Sequence, residues 1–490
     1  MNSVCTNRWK ELLCDRRRKN DNRTLEREDL LLENNGNNTS DTSEHRTEIE
    51  RDHDRVLFCT AVRRLADKTQ VFPLERNDSV RNRLTHSHEV SNLARSLGVA
   101  LAYRFDVAKD VRDATRNIPA LLAAIGLVHD LGNPPFGHQG EAAIQSWFKD
   151  NKDEIAGKQN EFLEEELYND FLNFEGNAQT FRLVTRLQLL NDNFGLDLTY
   201  ATLSAMMKYT VGSSDTENKS HVCKKKHGFF ISEKEIAESV LEKVGLSKGT
   251  RHPMAYIMEA CDDIAYVVLD IEDAVKKGLA SFSDLMAYLK HNAPNDVVTT
   301  KVVSLSQEKH DEYRTLDLSP AELNDVSMQR FRVYAIGEMV AATAAAFIDN
   351  QDSLISGLQQ SALLDLSTAN VLRQNLGTFA KIYAFQHRTV LEVELRGYNT
   401  IRGLMDIFWS ALKDTNPDNQ KELPINPYGR YVYMRISENY RRVYYKPSPE
   451  VGRLPVKYRQ CLLLTDMVSG MTDSYAVSLL DELNSFKSKK

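Results

Sequence analysis

Residues 119–141 read Pro-Ala-Leu-Leu-Ala-Ala-Ile-Gly-Leu-Val-His-Asp-Leu-Gly-Asn-Pro-Pro-Phe-Gly-His-Gln-Gly-Glu, and they decide how the rest of the chain is organised. The pattern predicts an apolar helix that is opened by Pro119 and runs into adjacent His129 and Asp130. The helix is expected to break at residues 133–135, Asn-Pro-Pro. An imidazole and a carboxylate therefore reach the inner end of a buried helix, where unpaired polar groups are costly.

Metal coordination would offset that cost, because imidazole nitrogen and carboxylate oxygen together suit Mg, Mn, Fe or Zn. The structural alternative is that His129 and Asp130 form a helix cap, or that His129 is a core histidine satisfied by hydrogen bonds. Further ligands on similar helices would favour the metal. His86 meets this test, since it shares one helical face with apolar residues that follow it, whereas His88 projects elsewhere. His86 is predicted to be a ligand, and His88 to lie on the surface.

A strong helix is predicted to start at Pro253 and to end at residues 276–278, Lys-Lys-Gly. Within it Asp262, Tyr266 and Asp270 follow one another at a spacing of four residues, which places two carboxylates and a phenol on one stripe. A purely structural stripe would be apolar. Asp262 is therefore the candidate fourth metal ligand, and the other two side chains are expected to face a bound molecule.

Composition places the chain among ordinary globular proteins. It has 490 residues, of which 42% are hydrophobic and 27% charged. The net charge of −7 does not indicate nucleic-acid binding. The six cysteines form no CxxC pair, which indicates a reducing, cytoplasmic location. The longest uninterrupted apolar stretch, around residues 121–128, is too short to span a bilayer, and no membrane association is expected.

Three regions are predicted along the chain: a flexible polar arm over residues 1–47, a catalytic core over 48–280 and a helical region over 281–490. The arm includes the basic cluster Arg16–Lys19 and the stretch Asn34–Asn38. A solvated tail is the favoured interpretation of the basic cluster, and a nucleic-acid arm is the alternative.

Two further basic segments allow two interpretations each. The run Lys224–Lys226 is expected to be a solvated face, with a phosphate site as the alternative. Residues 431–434 have a β-like pattern, and the basic-aromatic stretch 440–446 suits either ordinary packing or base stacking. The common phosphate-binding loops, the Walker motif and GxGxxG, are absent from the sequence.

The assembled pattern resembles the HD-domain metal-dependent phosphohydrolases, and within them the deoxyguanosine triphosphate triphosphohydrolases (dGTPases). Six blocks carry this resemblance: Gln70–Leu74, Arg83–Ser87, His129–Glu141, Glu259–Tyr266, Glu394–Tyr398 and Ser469–Tyr475. The resemblance runs from about residue 48 to the C-terminus and so covers all of the chain except the arm. The block from His129 to Glu141 is the most specific. Asn133 stands where some relatives carry a histidine, which fits the dGTPase branch.

The resemblance implies an all-α, predominantly helical HD-domain fold with minor β elements. It also implies cleavage of dGTP, or of other dNTPs, into a deoxynucleoside and intact tripolyphosphate. By positional match His86, His129, Asp130 and Asp262 would hold a divalent cation, with Mg²⁺ or Mn²⁺ favoured and Fe, Co, Ni or Zn as alternatives. His138, supported by Glu141, would serve proton transfer or water activation.

The resemblance also assigns substrate contacts. Arg83 and Lys208 would bind phosphate oxygens, and Asp270 would bind the 3′-hydroxyl group. Tyr266 would lie beneath the sugar. The remaining expected contacts, at the sugar and elsewhere on the nucleotide, are Gln70, Val71, Asn177, Tyr209, Glu394 and Arg441. A ribose 2′-hydroxyl pressed against an aromatic ring would lose its water without gaining a partner, which explains a preference for deoxynucleotides.

Relatives in this family associate with single-stranded DNA and form homo-oligomers, often hexamers, so the resemblance implies both properties as well. Two other classes of function are weighed against it. An HD enzyme acting on another phosphoester, such as a nucleoside monophosphate, would share the metal site but would not need Tyr266 and Asp270. A non-catalytic nucleotide sensor or nucleic-acid-binding protein would tolerate loss of His138 and Glu141, and the presence of both favours an enzyme.

Overall fold

The computed structural model describes residues 3–21, 45–75, 77–188, 193–216, 221–416, 424 and 426–487. Over these ranges the chain is helical, which confirms the predicted all-α class. The only β pairing in the described ranges consists of two isolated bridges, Arg17 with Thr199 and Thr69 with Asn82. The expected minor β elements therefore do not form strands in the described part of the chain.

The N-terminal half contains twelve α-helices within its described residues. They are α1 Ser3–Leu12, α2 Glu48–Leu57, α3 Thr60–Arg64, α4 Arg83–Tyr103, α5 Ala114–Val128, α6 Gly137–Asp150, α7 Lys152–Ile155, α8 Glu165–Leu172, α9 Gly176–Arg182, α10 Tyr200–Ala205, α11 Lys234–Lys243 and α12 Pro253–Lys276. Short 3₁₀ turns and one π-helical turn, Leu183–Leu187, link some of them.

The described residues after α12 form a second series of helices. They are α13 Phe282–Asn292, α14 Val297–Tyr313, α15 Pro320–Asp349, α16 Gln351–Ile355, α17 Leu363–Leu366, α18 Asn370–Ala380, α19 Arg388–Leu412, α20 Pro427–Met434, α21 Glu438–Tyr445, α22 Pro449–Gly452, α23 Val456–Ser469 and α24 Asp473–Phe486. A π-helical turn, Lys381–Phe385, continues α18.

Helices α4 and α5 pack closely because small residues lie between them. A Cβ atom added to Gly126 would lie 2.7 Å from the Cα atom of Ser91, so only glycine allows this approach of the two backbones. The Ser91 hydroxyl donates to the carbonyl of Ala123 at 2.8 Å and joins the helices at the same level. This packing brings His86, in the first turn of α4, beside His129, which follows α5.

Two large apolar clusters form the core. The first contains residues from α1 to α18, including Ile264 and Phe331, and the second extends from Phe136 to Leu483. The predicted boundary at residue 280 stays a prediction, and residues from both sides of it pack together in each cluster. The cavity described below is lined by segments from both sides of this boundary.

Helix α15 is long and apolar enough to cross a membrane by length and composition alone. Its side chains Met328, Phe331, Met339 and Phe347 are buried, and it packs against α12 and α14. A core helix of a globular protein has the same properties, so this helix by itself does not indicate a membrane span.

Residues 3–21 of the predicted flexible arm include helix α1 and pack against the rest of the chain. Trp9 and Leu12 are fully buried. The Arg17 side chain is also buried, with Nη1 2.8 Å from Oδ1 of Asp52 and Nε 2.6 Å from Oε2 of Glu48. Buried apolar side chains and the ion-paired Arg17 hold this segment against the rest of the chain. The polar composition of the segment did not indicate these contacts. The stretch Asn34–Asn38 lies outside the described residues.

Two local predictions are also corrected. Helix α5 begins at Ala114, so Pro119 lies inside the helix instead of opening it. Residues 431–434 belong to α20 and not to a β segment, since Pro427 occupies the first turn and the Asn426 side chain accepts the N–H of Gly429 at 2.5 Å. The helix predicted from Pro253 is confirmed to Lys276, with Gly278 in the left-handed region at φ 70°.

Candidate active site

A cavity of about 460 Å³ lies where α4, α12 and the turn after α5 meet, a size typical of small-molecule sites. Most of the predicted site residues line it. Those lining it are Gln70, Val71, Arg83, His86, His129, Asp130, His138, Glu141, Asn177, Lys208, Tyr209, Asp262, Tyr266 and Glu394. Asp270 and Arg441 are not among the lining residues.

The four predicted metal ligands meet at one point of this cavity. Candidate ligand atoms of His86, His129 and Asp130 lie within 4.8 Å of one another. Oδ1 of Asp262 lies 3.1 Å from Nε2 of His86 and 3.5 Å from Nε2 of His129. Helices α4, α5 and α12 thus bring two imidazoles and two carboxylates together. His88 is exposed, as the sequence predicts.

Hydrogen bonds orient this cluster for a cation. Nδ1 of His129 lies 2.7 Å from the carbonyl of Gly126, which assigns the ring proton to Nδ1 and directs Nε2 into the cluster. That Nε2 is buried and makes no hydrogen bond to a described residue. The amide of Asn133 donates to Oδ1 of Asp130 at 2.6 Å. The donor set therefore fits a divalent metal ion.

The electrostatics of the cluster agree with this fit. Burial alone would lower the pKa of His129, yet Asp130 and Asp262 raise it to about 10. Burial would raise the pKa of Asp262, but the interaction with His129 and the hydrogen bond from His86 hold it well below its ordinary value. The site consequently favours positive charge at Nε2 of His129, which a proton or a cation can supply.

Three basic side chains line the cavity together with the cluster. Nη1 of Arg83 donates to Oδ2 of Asp130, and Nζ of Lys208 lies 4.0 Å from Oδ2 of Asp262. Lys226, the third, lies 2.5 Å from Oε2 of Glu175 and lines the cavity. The expectation that the whole lysine run is a solvated face is therefore wrong for Lys226, since this side chain lines the cavity and pairs with Glu175. The sequence of the run does not show which of its three side chains does so.

His138 and Glu141 form a pair beside the cluster. Nδ1 of His138 lies 3.1 Å from Oε2 of Glu141, and Oε1 of Glu141 accepts the N–H of Gly176 at 2.8 Å. The His138 side chain is 90% exposed and the Glu141 side chain 8% exposed. The hydrogen bond raises the pKa of His138. Burial would raise the pKa of Glu141, but His138 and Lys226 lower it.

An aromatic surface forms another part of the cavity. The ring of Tyr266 stacks on Phe385, with centroids 5.3 Å apart and an interplanar angle of 29°. Gln70 and Val71 also line the cavity. Sequence reasoning missed Phe385, since the π-helical turn that places it has no recognisable pattern. Burial raises the pKa of Tyr266, so the phenol keeps its proton.

Asp270 lies two turns after Asp262 on α12 and is fully buried. Neither carboxylate oxygen makes a hydrogen bond to a described residue, and burial raises its pKa well above the ordinary value. Arg441 lies on α21, with Nη1 3.2 Å from the Met434 sulfur and its guanidinium 5.7 Å from the centre of the Tyr433 ring. The structure thus places neither residue on the cavity wall.

Glu394, Asn177 and Tyr209 are the remaining predicted residues in the cavity. The side-chain amide of Gln139 lies 3.5 Å from Glu394, and Asn177 donates to Glu175 at 2.7 Å. Tyr209 lines the cavity beside Lys208. These side chains form a further polar part of the cavity wall.

Comparison with known proteins supplies a family context. The HD domain family matches residues 83–183, which contain His86, His129 and Asp130. A "deoxyguanosinetriphosphate triphosphohydrolase-like protein" of Listeria innocua is 34% identical over 487 residues, covering 97% of this chain and 99% of the relative.

Two further relatives have related names. A "probable deoxyguanosinetriphosphate triphosphohydrolase" of Pseudomonas aeruginosa is 34% identical and covers 88% of this chain and 91% of its own. A "deoxyguanosinetriphosphate triphosphohydrolase" of Yersinia pestis is 32% identical, with 87% and 92% covered. The similarity therefore extends well beyond the HD domain and includes Asp262 and the segments that follow it.

Proposed function

The chain belongs to the dGTPase family of HD-domain metal-dependent phosphohydrolases, and from that membership we propose that it hydrolyses dGTP, or a related dNTP, to deoxynucleoside and tripolyphosphate. One observation carries the proposal. A single cavity contains the His86, His129, Asp130 and Asp262 cluster, the His138–Glu141 pair and basic side chains.

The phosphate end of the substrate would bind at the basic side chains. Arg83, Lys208 and Lys226 are each held by a carboxylate that fixes the cation in the cavity wall. Lys208 lies 3.5 Å from Glu259, and this ion pair, against the cost of burial, raises its pKa, so the ammonium stays charged. Fixed positive charges in a partly enclosed site attract a polyphosphate strongly.

In the proposed chemical step, one bond to the α-phosphorus forms and one breaks. Water adds to phosphorus and the bond to the 5′-oxygen breaks, so tripolyphosphate leaves intact. A divalent cation held by His86, His129, Asp130 and Asp262 would neutralise phosphate charge and acidify a bound water. The leaving alkoxide needs a proton and the attacking water must lose one, and Nε2 of His138 can serve either transfer.

Glu141 determines how His138 performs that transfer. Its carboxylate accepts from Nδ1 of His138, which leaves Nε2 to exchange protons in the cavity. The second oxygen of Glu141 is held by Gly176, so the carboxylate cannot rotate away without losing a buried hydrogen bond. The Gly176 contact therefore holds the carboxylate that His138 bonds.

The sugar would lie against Tyr266. The Tyr266–Phe385 stack offers an apolar face, and Gln70 and Val71 narrow the space next to it. A 2′-hydroxyl group at this face would be desolvated without a partner, which disfavours ribonucleotides. Asp270 as a 3′-hydroxyl acceptor stays a proposal, because the carboxyl group would need access that the described cavity does not give it.

A product assay tests this function. The purified protein is incubated with each of the four dNTPs and with GTP, in Mg²⁺ or Mn²⁺, and the products are separated by ion-exchange chromatography. Deoxynucleoside and tripolyphosphate are expected. Release of pyrophosphate or orthophosphate would contradict the proposed reaction.

Labelled water locates the broken bond. In ¹⁸O-water the label is expected in tripolyphosphate, because the water oxygen adds to phosphorus. Label in the deoxynucleoside would mean attack at the 5′-carbon, and the bond change proposed above would be wrong. His138→Ala is expected to lower kcat by roughly 10²–10⁴-fold while the bound metal, measured by elemental analysis, is retained.

A further inference from the structure

The junction between α23 and α24, residues 469–474, holds two segments that line the cavity. Nζ of Lys68 donates to the carbonyl of Ser469 at 2.8 Å and to that of Asn133 at 2.6 Å. Nη1 of Arg64 donates to the carbonyl of Gly470 at 3.0 Å. The C-terminal helices are thus tied both to the segment before Gln70 and to the turn after Asp130.

Asp473 makes the most direct of these connections. Its side chain is buried, and Oδ2 accepts the backbone N–H of Thr69 at 2.9 Å as well as the Thr69 hydroxyl. Oδ1 accepts the backbone N–H of Phe136 at 3.0 Å. One carboxylate therefore joins the residue before Gln70 to the residue two positions before His138.

The turn at Phe136 needs such support. Phe136 has φ 63° and ψ 18°, a left-handed conformation that a bulky residue rarely adopts. The His138 side chain is 90% exposed and has only Glu141 as a described hydrogen-bond partner, so packing does little to fix it. Its position in the cavity depends on the backbone of this turn.

The same carboxylate also reaches the metal side of the cavity through Thr69. The carbonyl of Thr69 accepts from Nε of Arg83 at 3.0 Å, and Arg83 in turn donates to Asp130. Asp473 is thus connected to the Gln70–Val71 segment, to the turn before His138 and, through Thr69, to Arg83. It does not itself line the cavity.

We propose that Asp473 is a positioning residue that holds the His138 turn and the Gln70–Val71 segment in one fixed arrangement. It thereby sets both the rate of proton transfer and the discrimination against a 2′-hydroxyl group. This inference rests on the proposed function for its kinetic part and on the hydrogen bonds alone for its structural part.

Asp473→Asn is the informative variant because it conserves volume. A carboxylate accepts at both oxygens, whereas an asparagine must place its NH₂ group either against the N–H of Thr69 or against the N–H of Phe136. One of the two connections is lost in either orientation. Asp481→Asn is the matched control, since Asp481 is exposed on the same helix.

The expected kinetic result is a loss in two independent quantities. In Asp473→Asn, kcat for dGTP should fall roughly 10- to 100-fold, the order expected for small misplacements of reacting groups. The ratio of kcat/KM for dGTP over GTP should fall as well. Metal content should equal that of the wild type, and Asp481→Asn should match the wild type in all three measurements.

Hydrogen exchange followed by mass spectrometry gives a readout that does not require activity. Exchange should rise in peptides covering residues 69–71 and 136–138 of Asp473→Asn, and should stay unchanged in α4 and α5. Unchanged exchange together with unchanged kinetics would overturn the proposal, as would loss of metal with exchange raised throughout the protein. If the wild type cleaves no dNTP, the proposed function fails, and the exchange comparison still decides whether Asp473 holds the two segments.

Discussion

Nδ1 of His138 lies 3.1 Å from Oε2 of Glu141, a buried carboxylate whose other oxygen is already bound to the backbone N–H of Gly176. The exposed imidazole therefore takes part of its basicity from a buried carboxylate that is itself held by the backbone. Lys226 and Arg83 also act on His138, and both lower its pKa, but the Glu141 interaction prevails and the pKa is raised.

Glu141→Gln should lower the pKa of His138, because the amide keeps the volume and removes the negative charge. The apparent pKa of His138 in the profile of kcat against pH should move to lower pH. If His138 acts as a base, the acidic limb moves; if it acts as an acid, the alkaline limb moves. A profile that is unchanged, or that shifts to higher pH, would contradict the assigned pair.

Asp262→Ala should lose both bound metal and activity, since its Oδ1 faces Nε2 of His86 and of His129. Elemental analysis after dialysis against excess Mn²⁺ measures the first effect. His88→Ala is the control, because His88 lies exposed in the same turn as His86. Full metal occupancy in the Asp262 variant would remove this residue from the site.

Tyr266→Ala should relax the choice of sugar. Loss of the ring opens space beside the sugar, so kcat/KM for GTP relative to dGTP should rise by roughly 10-fold, as for loss of one close contact. Tyr383→Ala is the matched control, since Tyr383 stacks on Phe379 in a similar way but does not line the cavity. Equal ratios in the two variants would place the sugar elsewhere.

Gly397→Ala and Gly337→Ala should have opposite effects on stability. A Cβ atom at Gly397 would lie 2.4 Å from Cγ of Phe136, so this variant should lose about 1–3 kcal/mol of unfolding free energy. Gly337, also within a helix, has nothing within 4 Å of that position, and alanine should stabilise by up to about 1 kcal/mol. Thermal unfolding midpoints measure both. A loss of stability in both variants would mean that the clash with Phe136 is not the cause of the loss in Gly397→Ala.

Asp170 should make stability depend on pH. Its oxygens accept from Ser213 at 2.6 Å, Tyr458 at 2.5 Å and the N–H of Ile231 at 2.7 Å, yet burial raises its pKa to about 7 from an ordinary 3.8. The folded state therefore keeps a proton that the unfolded state releases. The resulting stabilisation is fully present below pH 3.8 and is lost as the pH rises through about 7.

Asp170→Asn should remove this dependence, because an amide can keep the three contacts if the hydroxyl groups reorient. Relative to the wild type, the variant should gain stability between pH 4 and pH 7, by an amount on the order of 2–4 kcal/mol. Denaturant midpoints across this range measure the difference. A constant difference between the two proteins would contradict the assigned titration.

Periodicity predicted the parts of the site that lie on regular helices. The inward position of His86 and the exposed position of His88 follow from the apolar face of α4, and the cavity-lining Tyr266 follows from the spacing along α12. The same spacing continues to Asp270, whose side chain is fully buried and does not line the cavity, so its predicted role in binding stays a proposal.

Contacts between residues far apart in sequence determine the features of the fold and the site that the sequence did not predict. The burial of Arg17 requires Asp52, and the inward turn of Lys226 requires Glu175, two partners remote in sequence. The polar composition of residues 15–21 and the lysine run could not reveal these partners. Phe385 was missed for the same reason, since its stacking on Tyr266 depends on how α18 ends.

The connection between Thr69 and Asp473 spans 404 residues of sequence, whereas the four candidate metal ligands all precede residue 263. The last candidate ligand, Asp262, precedes Asp473 by 211 residues, which a ribosome adding about 5–20 residues per second needs roughly 10–40 s to synthesise. We therefore expect a nascent chain to assemble the metal cluster well before the His138 turn is anchored. Because loss of this anchor is expected to lower kcat roughly 10- to 100-fold, the proposed hydrolysis would reach its full rate only after the last helix has been translated.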